Sequence, residues 1–310
     1  MENIDTTGTP KAWQRRDFVT SIIKALSVAP LLTIPAHSFA LDPLQPAETL
    51  TVQQVIDLIL RSIPGAPFPK TVDTIKSGDS TQLVSGIVTT MFATNAVIEK
   101  AINEQANFII AHEPTFYNHL DETDWLENDE VYKHKKDLLE KNKIVVWRFH
   151  DGIHTHKPDG VLAGVLSALE WQQYYNPNNP EMISIPATSL GTIITHVKDK
   201  LEIPHVKVIG DPSQMCTRIA LVPGASGGRS QINTLQKENP DLMICGEINE
   251  WETAEYIRDL QQKGSTTSLI VTGHAVSEEP GLEWLVIWLQ PQIPGIKISH
   301  IPSGDPFNWA

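Results

Sequence analysis

The chain has 310 residues, 41% of them hydrophobic, enough to bury a real core in two modest domains or one large one. Its formal net charge of -13 argues against a nucleic-acid backbone or an anionic membrane surface as main partner, because such binding rests on Lys and Arg neutralising phosphates. The two cysteines, Cys216 and Cys245, form no CxxC, so a disulfide and a pair of buried thiols both stay open.

The first forty residues read as an address. Arg15-Arg16-Asp17 precedes an apolar stretch from Val19 to Ile34, interrupted by Lys24, and small residues at Ser38 and Ala40 suit a cleavage site. The stretch is too short and too polar for a comfortable membrane span. The pattern predicts a twin-arginine export signal over 1–40, cleaved near Ala40, and an exported mature protein; the alternative is an unstructured N-terminus with a chance Arg-Arg. Pro43 and Pro46 mark a linker over 41–49.

From there strands and helices alternate. Thr51 to Ile63 carries apolar residues at helical spacing, with Thr51 as N-cap and Pro64-Gly65 as terminator. A Pro- and Gly-marked segment reaches Asp79, and Val84 to Met91 reads as a strand. Thr94 or Asn95 starts a helix to about Gln105, and Ala106 to Ala111 is a second buried strand. His112-Glu113-Pro114 sits at its end, where an open α/β sheet places its chemistry. Glu127 to Asn142 reads as a charged surface helix, and Ile144 to Trp147 as a third strand.

The segment after that strand holds His150, Asp151, His154 and His156, a cluster hard to explain as core and suited to metal ligation. A helix from Gly160 to Trp171 and an Asn- and Pro-rich junction at 176–180 follow. In the second half, helix Ser189 or Thr192 to Leu201, strand Val206 to Asp211 and strand Arg218 to Pro223 are expected. The last runs into Gly224-Ala225-Ser226-Gly227-Gly228, a tight strand-to-helix turn or an anion cradle, without the Lys-Ser/Thr of a P-loop. Strand Leu242 to Cys245 ends in the acids Glu247, Glu250 and Glu252. Helix Thr253 to Gln262, strand Ser268 to Val271, helix Gly281 to Leu289 and a short strand near 296–301 complete the order, so the fold class is α/β. After strand Ser268 to Val271, Gly273 permits a sharp turn, and His274 and Glu278 stand four apart, able to share one face of a helical turn. Imidazole nitrogen plus carboxylate oxygen suits zinc, manganese or iron.

Several pieces match one pattern in the same order: the strand-His-Glu-Pro at 107–114, His-x-x-x-His at 150–154, Val-Ile-Gly-Asp at 208–211, Pro-Gly-Ala-Ser-Gly-Gly at 223–228, Cys-Gly-Glu-Ile at 245–248 and Gly-His-x-x-Ser-Glu at 273–278. This resembles the NIF-three-like family of dinuclear-metal proteins, over about residues 48 to 300. The resemblance implies two α/β lobes with mixed or parallel sheets, a toroidal homohexamer and two divalent metal ions (zinc, iron or manganese). The lobes would span 50–175 and 185–302, the C-terminal part of the second returning ligands to the first. Carried over by motif, the ligand positions fall on His112, Glu113, His154, His274 and Glu278, with Glu278 bridging the ions. Glu113 stands where the family has a second His, and His154 where it has an Asp, so ligand number and charge are preserved. The family's paired His after the Gly-Glu motif is missing, replaced by Glu250 and Trp251. Members look like hydrolases by their site, and some are labelled a second type of guanosine-triphosphate cyclohydrolase.

The expectation is therefore an exported metal-dependent hydrolase of a small molecule, with His150 or Asp151 orienting a ligand or moving protons. A non-catalytic metal-binding scaffold or metal store, and a cyclohydrolase acting on a purine nucleotide, are the alternatives.

Overall fold

The computed structural model describes residues 49–308. The expected export signal over 1–40, and the linker over 41–49 apart from its last residue, lie outside them. The described residues form a mixed α/β structure built on two five-stranded sheets.

In the first sheet the order is β1 (Ile75–Ser77), β4 (Val145–Arg148), β3 (Phe108–Ala111), β2 (Ile87–Thr90) and β10 (Ile298–His300). All pairs are parallel except β1 with β4. Strands β2, β3 and β4 are buried on both faces, which is why their sequences are apolar runs rather than alternating ones. The fifth strand, β10, comes from the far end of the chain and pairs in register with β2, Ile298 opposite Ile87.

In the second sheet the order is β5 (Met182–Ser189), β7 (Met215–Val222), β8 (Leu242–Cys245), β9 (Ser268–Val271) and β6 (Lys207–Ile209). Its centre, β7-β8-β9, is parallel, and the edge strands β5 and β6 run antiparallel to their neighbours. Two strands had no clear signature in the sequence. Strand β1 has only three residues and pairs irregularly. Strand β5 contains Pro186, and its register with β7 breaks between Ser184 and Thr188; a proline, lacking the ladder N–H, is tolerated on such an edge.

Helices cover the sheets: α1 (Val52–Leu60), α2 (Asn95–Asn103), α3 (Glu130–Lys141), a short α4 (Asp151–Thr155), α5 (Gly160–Ala168), α6 (Leu190–Lys200), α7 (Gly228–Glu238), α8 (Glu255–Gln262) and α9 (His274–Leu289). Their starts obey capping chemistry. The Thr51 hydroxyl accepts from Gln54 N and the Gln54 side chain returns the bond, a full capping box; Thr94, Asp129, Asp159 and Ser189 cap α2, α3, α5 and α6. Helix α1 buries Val52, Val55, Ile56 and Ile59, each contributing about 1.5–3 kcal/mol of apolar burial. Helix α3, expected as a surface helix, still buries Leu139 and the Lys135 stem, whose ammonium donates to the Thr115 carbonyl at 2.9 Å. Cys216 and Cys245 are free and buried.

Helix α9 begins at His274, not at Gly281 as the sequence suggested, and runs through Pro280. It leaves the second sheet after β9 and lies along α5, and the chain then enters the first sheet as β10. The two helices approach closely because they meet at glycines. A Cβ on Gly164 would stand 2.2 Å from the Pro280 carbonyl oxygen, and one on Gly281 would stand 2.6 Å from Val161 Cα. This contact brings the start of α9 beside α4 and α5. Among the described residues no helix is long and apolar enough to cross a membrane.

Candidate metal centre

The parallel strands of both sheets deliver their carboxyl ends to one cleft of about 360 Å³. His112 and Glu113 follow β3, and His150 and Asp151 follow β4. The Gly224–Gly228 turn follows β7, Glu247 follows β8, and Gly273-His274 follows β9. Gly273 takes φ +108°, a conformation glycine adopts without a Cβ clash, and turns the chain at once into α9. His274 and Glu278 then lie on one face of that helix, their Nε2 and Oε2 atoms 3.1 Å apart.

The His150-to-His156 segment, which carried no helix expectation, folds as the single turn of α4. Its start is fixed from a distance by Asp73. One Asp73 oxygen accepts the backbone N–H groups of His150 (2.7 Å) and Asp151 (2.8 Å), the other that of Gly152 (2.7 Å). This satisfies the orphan donors of the turn and aims His150 and His154 into the cleft. Burial pushes the Asp73 carboxyl up, against the lowering effect of those three bonds.

Four histidines share one arrangement. His112 Nδ1 faces the Phe149 carbonyl at 3.2 Å, His150 Nδ1 faces Asp151 Oδ1 at 3.1 Å, His154 Nδ1 faces Asp159 Oδ2 at 2.9 Å and His274 Nδ1 faces Glu247 Oε2 at 3.1 Å. Each acceptor fixes the ring and leaves Nε2 directed inward, as metal-binding imidazoles are held. The inward atoms meet two buried carboxylates. His112 Nε2 is 3.4 Å from Glu278 Oε2 and 4.0 Å from Glu113 Oε1, while His150 Nε2 and His274 Nε2 are each 3.5 Å from Glu113 Oε1. His154 Nε2 is 3.9 Å from Glu278 Oε1. The candidate ligand atoms of His112, His150 and His154 lie within 4.8 Å of one another, as do those of His112, Glu113 and Glu278.

His112 is fully buried, and its Nε2 has no hydrogen-bond partner. A buried, unpaired acceptor carries a desolvation cost unless something meets it. A cation between this nitrogen and the two carboxylates is the species the donor set fits, and the buried His/Glu groups can hold metal ions.

The structure thus gathers His112, Glu113, His150, His154, His274 and Glu278 at one point. Asp151 stands behind His150. Its second oxygen accepts from Thr71 Oγ1 (2.8 Å) and Val72 N (3.2 Å), and it is absent from the cleft wall. His156 faces away, edge-on to Trp284 and Trp288.

Sequence reasoning missed several participants, Asp159 behind His154 among them. Asp73 and Arg148 act through tertiary contacts. His119, on the cleft wall, stands edge-on to His150. Gly224 takes φ +72°, and a Cβ there would lie 2.1 Å from Glu278 Oε1, so the glycine-rich turn is a tight strand-to-helix connection that also makes room for this carboxylate. Only the glycine-rich turn had a signal in the sequence.

The electrostatics follow from burial and proximity. Burial would raise the Glu278 carboxyl, but the His112 and His274 imidazoles outweigh it and hold it well below the usual range. Glu113 is lowered in the same way, burial being outweighed by His274, His112 and His150. Burial and the neighbouring His112 push His150 down to about 4, so its Nε2 lone pair is free at neutral pH. His154 moves up, its burial overcome by Asp159.

Burial also opposes charge on His274, but hydrogen bonds to Glu113 and Glu278 push it up to about 10. In metal-free protein a proton on His274 Nε2 would stand between Glu278 Oε2 at 3.1 Å and Glu113 Oε1 at 3.5 Å, and a cation bound there would have to displace it. Because the folded value lies above the ordinary histidine value of 6.5, the stabilisation is complete below about 6.5 and is lost as pH rises towards about 10. The stability advantage of metal-free wild type over His274→Gln, read by urea unfolding, should therefore shrink between those pH values. An advantage that grows over the same range contradicts the assignment.

Comparison with known proteins identifies the fold and the family. The family model described as Duf34/NIF3 (NGG1p interacting factor 3) matches residues 72–306. A Neisseria meningitidis serogroup B protein named GTP cyclohydrolase 1 type 2 homolog is 26% identical over 232 residues, 73% of this chain and 86% of that protein. A Staphylococcus aureus hypothetical protein of known structure superposes with a TM-score of 0.68 at 19% identity, covering 85% of this chain and 100% of the other. A Bacillus cereus protein related to NIF3 gives a TM-score of 0.68 at 16% identity, with coverage of 84% and 99%. At these identities the structures speak for the fold alone, but the family model spans most of the chain: the protein belongs to the Duf34/NIF3 family.

Proposed function

We propose that this protein is a metal-dependent hydrolase of a small molecule, working at a two-metal centre held by His112, Glu113, His154, His274 and Glu278. One observation carries the reading: four imidazoles, each with Nδ1 engaged, turn Nε2 towards two buried carboxylates at the mouth of a cleft. Six side chains, His112, Glu113, His150, His154, His274 and Glu278, bring more donor atoms than one four-coordinate ion takes, which supports a pair of ions, His112 serving one of them through Nε2. Glu278, with one oxygen towards His112 and His274 and the other towards His154, would be the carboxylate shared between them.

Divalent zinc, iron or manganese bound there would polarise a substrate oxygen and acidify a water. The chain supplies the rest. His150, neutral and backed by Asp151, offers an inward lone pair as a further ligand or a proton acceptor. Leu162, Leu221, Val222 and Pro223 give the cleft an apolar wall that excludes water and takes up an uncharged part of a substrate.

A cyclohydrolase reaction on guanosine triphosphate, suggested by the relative's name, finds less support. Away from the candidate ligands the cleft wall holds Asp159 and Glu181 but no Lys or Arg, so a triphosphate would depend on the metal centre for its positive charge. A non-catalytic metal-binding scaffold shares the same donor set and differs in turnover alone.

Elemental analysis of purified protein should find two metal equivalents per chain; less than one sinks the proposal. In a hydrolase substrate panel that includes guanosine triphosphate, His274→Ala and Glu278→Ala should lose metal and fall to background. Light scattering on the same samples should give a hexamer mass, the assembly we propose, and a monomer removes that part of the reading. A panel with no turnover in fully loaded wild type favours the scaffold.

We also propose export through the signal at 1–40. Replacing Arg15 and Arg16 by Lys should retain the full-length chain inside the cell on fractionation. Unchanged export would refute a twin-arginine route.

A further inference from the structure

Arg148, the last residue of β4, is fully buried directly beneath the metal centre. Its guanidinium is spread over three acceptors. Nε donates to the His112 carbonyl at 3.1 Å, Nη1 donates to the His119 carbonyl, and Nη2 lies 3.3 Å from Glu113 Oε2. Nη1 also lies 3.7 Å from Asp121 Oδ2, but that oxygen is shared with Lys76 Nζ at 3.1 Å. Among the described residues, Glu113 is therefore the carboxylate that Arg148 reaches without a competing Lys.

The two oxygens of Glu113 face different neighbours. Oε2 meets Arg148, while Oε1 meets the inward nitrogens of His112, His150 and His274. A free carboxylate can bind an ion through one oxygen or both. With Oε2 engaged by a guanidinium, one oxygen is left, and Glu113 offers a single donor atom as an imidazole does. The guanidinium also balances the charge the carboxylate brings. A buried cation of this kind persists only when paired, so the two residues stand as a unit.

On the reading that this centre binds metal, we infer that Arg148 is a positioning residue for metal binding. It holds Glu113 Oε2 outside the ligand cluster and fixes Glu113 as a single-oxygen ligand through Oε1. This device acts behind the ligands and touches no substrate.

The test is a double-mutant cycle on metal affinity, read by chelator competition with zinc or manganese alone. Arg148→Gln and Arg148→Lys should weaken at least one of the two ions by roughly 10- to 100-fold, the range seen when a group supporting a ligand is lost. Lys keeps the charge but not the fork, so its failure to rescue would mark geometry rather than charge as the cause. In a Glu113→His background, where no Oε2 exists to hold, Arg148→Gln should change affinity by less than about threefold, set against that range. Equal affinities for folded wild type and Arg148 variants overturn the inference, and so does a loss of the same size in the Glu113→His background.

Should the Arg148 variants not fold, the metal-loaded wild-type crystal structure decides. Glu113 bound through Oε1 with Oε2 on Arg148 supports the inference; both oxygens on metal overturn it. Wild type that binds no metal brings down the metal-centre reading and this inference with it, whereas normal binding with indifferent Arg148 variants removes this inference alone.

Discussion

The hydrogen bond to Nδ1 is the constraint on which this structure turns. An imidazole is a useful ligand only if its ring is held and the correct nitrogen carries the lone pair. Here four rings are held from behind, by the Phe149 carbonyl and by Asp151, Asp159 and Glu247. Those acceptors come from the ends of β4 and β8 and from the cap of α5, so the positions of both sheets are written into ring orientation. Helix α9 closes the arrangement. Its glycine contact with α5 brings residues from the second sheet against those of the first, and Glu278 and His112 end 3.4 Å apart.

Charge explains why the centre tolerates such density. Two carboxylates buried side by side repel unless positive charge intervenes. In the metal-free state the upward-shifted His274, placed between Glu113 and Glu278, would supply that charge together with the Arg148 guanidinium behind Glu113. A divalent cation bound there would replace the His274 proton, which would couple metal binding to proton release. An acidic chain of net charge -13 is consistent with this design, because the positive potential a substrate meets would come from bound ions rather than from side chains.

Much of the fold was legible because buried parallel strands leave short apolar runs, as in Phe108 to Ala111 and Leu242 to Cys245. The ligand candidates were legible for a related reason: they follow those runs directly, where a strand hands the chain to a loop. What escaped had no local signal. Strand β1 is three residues long, and β5 contains a proline. Pro280 masked the fact that α9 starts at His274, a helix now held by its packing on α5. Asp73 sits 77 residues before the His150 N–H it binds. Gly224 looked like any turn glycine until Glu278 was found pressed against it. These are tertiary facts, and no window of sequence contains both partners.

The central claim is that the imidazoles are preset to present Nε2 to a pair of ions. Anomalous difference maps from crystals loaded with zinc or manganese, collected on either side of the metal edge, test it most directly. The account predicts two peaks flanking Glu278, with His112 and His274 bound through Nε2 and their Nδ1 atoms still on the Phe149 carbonyl and Glu247. No peak among these residues, or ligation through Nδ1 with the supporting hydrogen bonds broken, would contradict it.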